Sequence, residues 1–286
     1  MNAKKVHIRK RIEQVQRYIE ENLDTPVTLE MLAERCGYST LYFHSIFTGM
    51  VGEGVKEYQR RLCLQRAASQ LLLTDKSIMN IALEAGYESQ EGFSRAFKKR
   101  FDFPPLKFRK LQPQYNTLSG GKLMNTTTLP ASDLTVTIKN CTPITVAAVR
   151  HTGPYANCEK AFKTLHKWSR ANGLYGTYRP VVGVSYDDPR TTPQEKLRYD
   201  ACMAIPENFV VTGEARKYVI HGGRYACCIH KGSYSTMSQT FTDILGHWLP
   251  DSGEELTNHP PLEVYLNCPS VTAEAELRTE IRIPLK

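Results

Sequence analysis

Apolar positions recur along the first hundred residues at helical spacing. Ile8, Ile12, Val15 and Ile19 follow one another at four, three and four, which predicts an amphipathic helix ended by Asp24-Thr25-Pro26. Thr28 then stands as a helix N-cap before Leu29, and Cys36-Gly37 closes that short helix, since glycine tolerates the left-handed conformation of a helix end. Tyr38 and a second cap, Ser39, open a helix from Thr40 to Thr48. The same grammar returns about fifty residues later. Ile78, Ile81 and Ala82 mark a short helix, Ala85-Gly86 ends it, Tyr87 follows, and Ser89 caps a helix from Gln90 to Arg100. Phe43 and Phe47 correspond to Phe93 and Phe97, and Tyr58, Leu62, Ala68, Leu71 and Leu72 mark a long helix between the units, from about Val55 to Leu73. At 1.5 Å per residue that helix spans roughly 28 Å, enough to hold two reading helices about one DNA turn apart.

After residue 133 the period changes from helical to alternating. Arg150-His151-Thr152-Gly153-Pro154-Tyr155 recurs as Ile229-His230-Lys231-Gly232-Ser233-Tyr234, and each copy leads into a helical pattern ending near a tryptophan, Trp168 or Trp248. Two alternating stretches precede each copy and two follow it, so the half reads as ββαββ twice, with mainly antiparallel sheet. The fold class is multidomain: an all-α double helix-turn-helix, then an α+β tandem repeat. The expected domains are residues 1–112 and 133–286, joined by a linker over 113–132 that contains Ser119-Gly120-Gly121 and Asn125-Thr126-Thr127-Thr128.

Charge and composition narrow the function. Residues 1–113 hold 19 Lys+Arg against 13 Asp+Glu, whereas residues 114–286 hold 18 against 16, so a polyanionic partner is expected for the first module only. No apolar run is long enough to span a bilayer, and the basic start Met1-Asn2-Ala3-Lys4-Lys5 leads into no apolar signal segment, which points to a cytoplasmic protein without a membrane partner. Eight scattered cysteines without a C-x-x-C pair read as reduced thiols. No P-loop, G-x-G-x-x-G or H-E-x-x-H occurs, and no ligand spacing supports a metal, so neither cofactor nor metal is expected. His151 and His230 read as groups that orient the turn before each helix.

In the first module Phe43, Phe47, Phe93 and Phe97 are assigned to the core. The opposite faces carry the candidate base readers: Leu41, Tyr42, His44 and Ser45 in the first unit, and Gln90, Glu91, Ser94 and Arg95 in the second. Arginine can address guanine and glutamine adenine through two hydrogen bonds, so the second unit looks the stronger reader. Lys98 and Lys99, with Arg100, Lys107, Arg109 and Lys110, suit phosphates. In the second module Glu263 and Tyr265 share one face of the strand Leu262–Leu266, and a carboxylate beside aromatics can bind an amphipathic cation. A solvated glutamate on an ordinary strand fits the same alternation. Trp168, Tyr155 and Tyr225 are further ligand candidates that would serve equally as core.

Gly37-Tyr38-Ser39-x-x-x-Phe43-x-x-x-Phe47, Gly86-Tyr87-Glu88-Ser89-Gln90-x-x-Phe93-x-x-x-Phe97 and Phe103-Pro104-Pro105-x-x-x-Arg109 resemble the AraC/XylS DNA-binding domain, and Ala96-Phe97-Lys98-Lys99 resembles its MarA/Rob branch. That resemblance implies a monomeric activator that binds asymmetric double-stranded DNA and touches RNA polymerase. Leu41, His44 and Ser45 stand where that branch usually has Trp, Gln and Arg, while Gln90 and Arg95 match. The doubled His-x-Gly-x-Tyr, Trp248-Leu249-Pro250-Asp251-Ser252-Gly253, Glu263-Val264-Tyr265-Leu266-Asn267 and Glu280-Ile281-Arg282-Ile283-Pro284-Leu285 resemble the GyrI-like small-molecule-binding domain. This second resemblance implies a pocket containing Glu263 for a cationic or amphipathic effector. Some members of that family hydrolyse strained electrophiles with a Glu and a Tyr. The expectation is therefore a regulator rather than an enzyme, the alternative being a hydrolase or a ligand- or toxin-sequestering protein with a DNA-binding appendage.

Overall fold

A computed structural model describes residues 5–110, 134–174 and 179–286. The stretch read as a linker, 113–132, lies outside the described residues. Among the described residues the first module has seven helices: α1 (Lys5–Glu21), α2 (Leu29–Cys36), α3 (Thr40–Val51), α4 (Val55–Leu73), α5 (Ile78–Glu84), α6 (Gln90–Phe101) and α7 (Pro105–Arg109). The capping residues act as their chemistry requires. Thr28, Ser39 and Ser89 accept from the backbone N–H of Met31, Tyr42 and Gly92 at the starts of α2, α3 and α6. Gly37 and Gly86 take φ of +69° and +81° in the two turns, a conformation that costs a side chain strain. The helix α3 runs three residues past its expected end, to Val51, where Gly52 caps it. The short α7 lies beyond the two repeated units and places Phe108 against Phe97 and Phe101. Arg109 is not a free phosphate contact, because its guanidinium donates to the carbonyls of Leu71 and Lys76.

The second module is one eight-stranded antiparallel sheet. Its strands are β1 (Val136–Cys141), β2 (Ile144–Thr152), β3 (Val181–Ser185), β4 (Arg198–Ala204), β5 (Arg216–Ile220), β6 (Gly223–Lys231), β7 (Leu262–Tyr265) and β8 (Arg278–Pro284), in the order β1-β6-β8-β7-β3-β4-β2-β5. The helix α8 (Glu159–Ala171) follows β2, and α9 (Met237–Asp243) follows β6 and continues through a π-helical turn, Ile244–Trp248, into α10 (Leu249–Ser252). The two ββαββ halves are not self-contained. The first strand of each half pairs with the second strand of the other, Val136 opposite Cys228 and Ile144 opposite Ile220, so each half completes its partner's edge. His151 and His230 meet the carbonyls of Pro154 and Ser233 at 2.9 Å, which fixes the tight turn ahead of each helix.

The apolar cores divide the chain differently from its sequence modules. The second helix-turn-helix owns a core in which Leu64, Leu71, Ile81, Phe93, Phe97 and Phe108 pack together. The first helix-turn-helix instead shares one continuous core with the C-terminal domain. Ile12, Phe43, Ile46 and Phe47 belong to the same packed cluster as Ile244, Leu245, Leu249 and Ile281.

Candidate functional site

Glu263 lies on the central strand β7, 6% exposed, with its carboxylate held by three hydroxyls. Ser185 donates to Oε1 at 2.7 Å, and Tyr199 and Tyr265 donate to Oε2 at 2.9 and 2.8 Å. The alternation read from the strand thus brings Glu263 and Tyr265 together, whereas Ser185 and Tyr199 come from β3 and β4 and had no sequence signal. Burial, reinforced by the charge of Glu263, raises the pKa of both Tyr199 and Tyr265 well above the usual phenol value, so both stay protonated donors at neutral pH. Among the described residues no lysine, arginine or histidine forms an ion pair with Glu263; its partners are neutral hydroxyls.

Aromatic rings stand edge-to-face around this carboxylate. Phe162 from α8 and Tyr234 each lie 5.5 Å from the Tyr265 ring, and Tyr155 lies 5.6 Å from Tyr199. The hydroxyl of Tyr155 also donates to the Asp187 carbonyl at 2.7 Å and lies 3.1 Å from that of Arg198, which pins the loop after β3. Together they line a cavity of about 1010 Å³, which reaches from Glu263 to Leu41, Tyr42 and Ser45 on α3.

Two expected ligand residues lie elsewhere. Trp168 sits on the sheet-facing side of α8, packed against Phe209, with its indole N–H donating to the Thr212 carbonyl. The face of α8 that meets the cavity carries Phe162, Lys163 and His166 instead. Tyr225 is buried on β6 with the sheet residues Val182 and Val264, its hydroxyl spent on the His221 carbonyl. Both are core residues, because the helix and strand periods turn them away from the cavity.

The candidate DNA-reading residues divide sharply. On α6, Gln90, Glu91, Arg95, Lys98 and Lys99 are exposed and Ser94 is half-buried, so the second reading face is open. On α3, Tyr42, His44 and Ser45 are only 1%, 9% and 3% exposed, and Leu41 lines the cavity. This corrects the expectation of an open first reading face. The Tyr42 hydroxyl donates to the His259 carbonyl at 2.7 Å, His44 Nδ1 lies 3.1 Å from the Asp188 carboxylate, and Arg190 donates to the Ser45 hydroxyl at 2.6 Å. Backbones meet closely at this crossing. A Cβ on Gly49 would lie 2.5 Å from the Gly246 Cα, and a Cβ on Gly246 would collide with the Gly49 backbone in turn.

Asp188 anchors the crossing. Burial would raise its pKa, but hydrogen bonds from His44 and Arg190 and the Arg190 charge outweigh that and hold the carboxyl well below the usual carboxylate range. A depressed carboxylate contributes stability that is present above its unfolded pKa of about 3.9 and is lost as pH falls below it. Thermal melts between pH 6 and pH 3 should therefore show a fall in stability that Asp188→Asn makes shallower. Equal slopes in the two proteins would mean that Asp188 does not carry it.

Residues 134–286 match the model of the GyrI-like small molecule binding domain, and residues 32–111 match that of a helix-turn-helix domain. The chain is an AraC-type regulator with a GyrI-like domain. Relatives of this regulator cover different parts of it. "Probable transcriptional regulator YgiV" of Escherichia coli K12 is 37% identical over 125 residues, spanning 41% of this chain and 75% of that protein. "Regulatory protein SoxS" of Salmonella typhimurium LT2 is 36% identical over 92 residues, 32% of this chain and 86% of that one. "Right origin-binding protein" of Escherichia coli K12 is 23% identical over 293 aligned residues, covering 94% of this chain and 96% of its own. The regulator has no helix among its described residues that is long and apolar enough to cross a membrane.

Proposed function

We propose that this regulator is a cytoplasmic, monomeric transcriptional activator whose C-terminal domain senses an amphipathic organic cation in the Glu263 cavity. The observation that carries the reading is a buried carboxylate, without a basic partner among the described residues, at the floor of an aromatic-lined cavity large enough for a drug-sized molecule. An ionised carboxylate kept from water is costly, and three neutral donors offset only part of that cost. A ligand cation would complete the compensation, with the ring faces adding cation–π attraction. Glu263 serves as a binding group rather than a catalytic one, since its oxygens are already engaged by three hydroxyl donors.

Calorimetry on the full chain tests this with dodecyltrimethylammonium and, as control, dodecyl sulfate, both below micelle-forming concentrations. Binding of the cation alone is the expected result. Equal binding of both, or of neither, would overturn the cation reading, and turnover of strained electrophiles by the wild type would support the hydrolase alternative.

On the DNA side, Gln90, Glu91, Ser94 and Arg95 are proposed to address base edges, with Lys98 and Lys99 on phosphates and RNA polymerase as the further partner that resemblance to the MarA/Rob branch implies. Arg95→Ala should cost about 1–3 kcal/mol at one base position and relax discrimination there. Lys99→Ala should instead weaken all sequences alike and reduce the salt slope by about one. Competition binding against single-base variants of a selected duplex separates the two, and unchanged discrimination in Arg95→Ala removes that residue from the reading role.

A further inference from the structure

We infer that the C-terminal domain is an intramolecular competitor of DNA for the reading face of α3, and that the effector cavity is closed by that same face. The inference rests on the proposed DNA-binding reading and adds its regulation. The two helix-turn-helix units share one grammar, yet only α6 presents its reading face to solvent. On α3 the equivalent side chains are each matched by a separate C-terminal group: Tyr42 by the His259 carbonyl, His44 by Asp188, Ser45 by Arg190. Arg190 is itself held in place by Asp188 and by the Thr242 hydroxyl, so the second module carries a preformed polar surface for this face. These contacts use the hydrogen-bonding groups that a base edge would otherwise meet, so the two partners cannot hold α3 at once.

The apolar part of the contact is equally specific. Gly49 and Gly246 let α3 and the turn after α9 approach until no methyl group fits between them. Glycine inside a helix weakens it by roughly 1 kcal/mol relative to alanine, so two glycines at one crossing mark a contact in which closeness matters more than helix propensity. Leu41, Tyr42 and Ser45 then form the wall of the cavity that faces Glu263. A molecule filling that cavity touches the reading helix directly, so occupancy of the cavity and release of α3 are linked, each shifting the other by the same free energy.

The covered state makes a prediction that needs no ligand. Full-length wild type, Gly246→Ala and Asp188→Asn are each taken through selection on randomised duplex DNA at one salt concentration. Gly246→Ala drives a methyl group against the α3 backbone at Gly49 while leaving the sequence of α3 and the Glu263 cage unchanged, and Asp188→Asn weakens the polar contact without adding volume. Circular dichroism melts identify which variants remain folded. Wild type is expected to recover one reading patch, that of α6. The folded variants are expected to recover a second patch about one helical turn away and to bind the two-patch duplex about tenfold more tightly than wild type, the gain expected where the open form is about a tenth of the population. Recovery of the same two-patch site with equal affinity by all three proteins would show α3 already open and overturn the inference. A single patch from the folded variants would overturn it as well, because α3 would then not be a reader. Failure of all three to enrich any sequence would sink the DNA-reading proposal itself, which the other outcomes leave standing.

Discussion

Glu263→Gln is expected to remove cation binding while leaving the fold as stable as wild type or more so. The carboxylate sits among Ser185, Tyr199 and Tyr265, and among the described residues no positive side chain pairs with it, so a charge there carries a desolvation cost that the three hydroxyls offset in part and a bound cation would offset further. A glutamine retains one acceptor oxygen for the hydroxyls, and its amide can donate to the phenol oxygens, which accept as well as donate. The hydrogen-bonded cage therefore survives in outline while the charge is lost. Truncating one member of a buried, hydrogen-bonded charge pair costs about 2–5 kcal/mol of binding, roughly 30-fold to several thousand-fold in affinity. Both tyrosines have pKa values pushed upward by burial and by Glu263, so they remain protonated through mildly alkaline pH and do not themselves impose a pH dependence on binding there. Calorimetry with dodecyltrimethylammonium reads the affinity and differential scanning calorimetry reads the fold. A large fall in melting temperature with binding retained would make Glu263 a structural group and leave the cavity without its proposed anchor.

How much of this was legible in the chain depends on the range of the interaction that decides each feature. Caps, turns and periods are local, and so Thr28, Ser39, Ser89, the span of α4 and all eight strands could be read from neighbours a few residues apart. Glu263 and Tyr265 were legible for the same reason, being two positions apart on one strand. Ser185 and Tyr199 were not, because what places them is the sheet order β7-β3-β4, a long-range pairing that alternation leaves open. The exchange of β1 and β5 between the halves was hidden too, since each strand carries the same period whichever partner it meets. Tyr42, His44 and Ser45 show the sharpest limit. Their polarity on the outer face of a helix predicts an open surface, and it takes Asp188, Arg190 and His259 from the far half of the chain to cover it. The small residues Gly49 and Gly246 were the available signal for a close crossing, but a glycine in a helix names no partner.

Gly183→Ala should destabilise the C-terminal domain by about 3 kcal/mol, near the upper end of the usual cost of overpacking a filled core. Gly183 lies on β3 directly across from Glu263, and a Cβ there would overlap the Tyr199 hydroxyl and stand 2.6 Å from its Cζ. Tyr199 is buried against Phe162, Tyr155 and the sheet, and the space open to its ring is the cavity it lines. The ring must therefore shift away from Glu263 and give up its hydrogen bond, which leaves the buried carboxylate one donor short. For a domain of this size the melting temperature would fall by about 6–12 °C. Tyr199→Phe alone removes the hydroxyl without adding volume and should cost only about 1–2 kcal/mol. The double variant distinguishes the two causes. Removing the hydroxyl relieves the worst overlap, so Gly183→Ala combined with Tyr199→Phe should cost clearly less than the sum of the single changes, with a coupling of about 1 kcal/mol. Simple additivity would mean that the alanine finds space without moving Tyr199. Glycine at 183 would then not be what allows the phenol to reach the carboxylate.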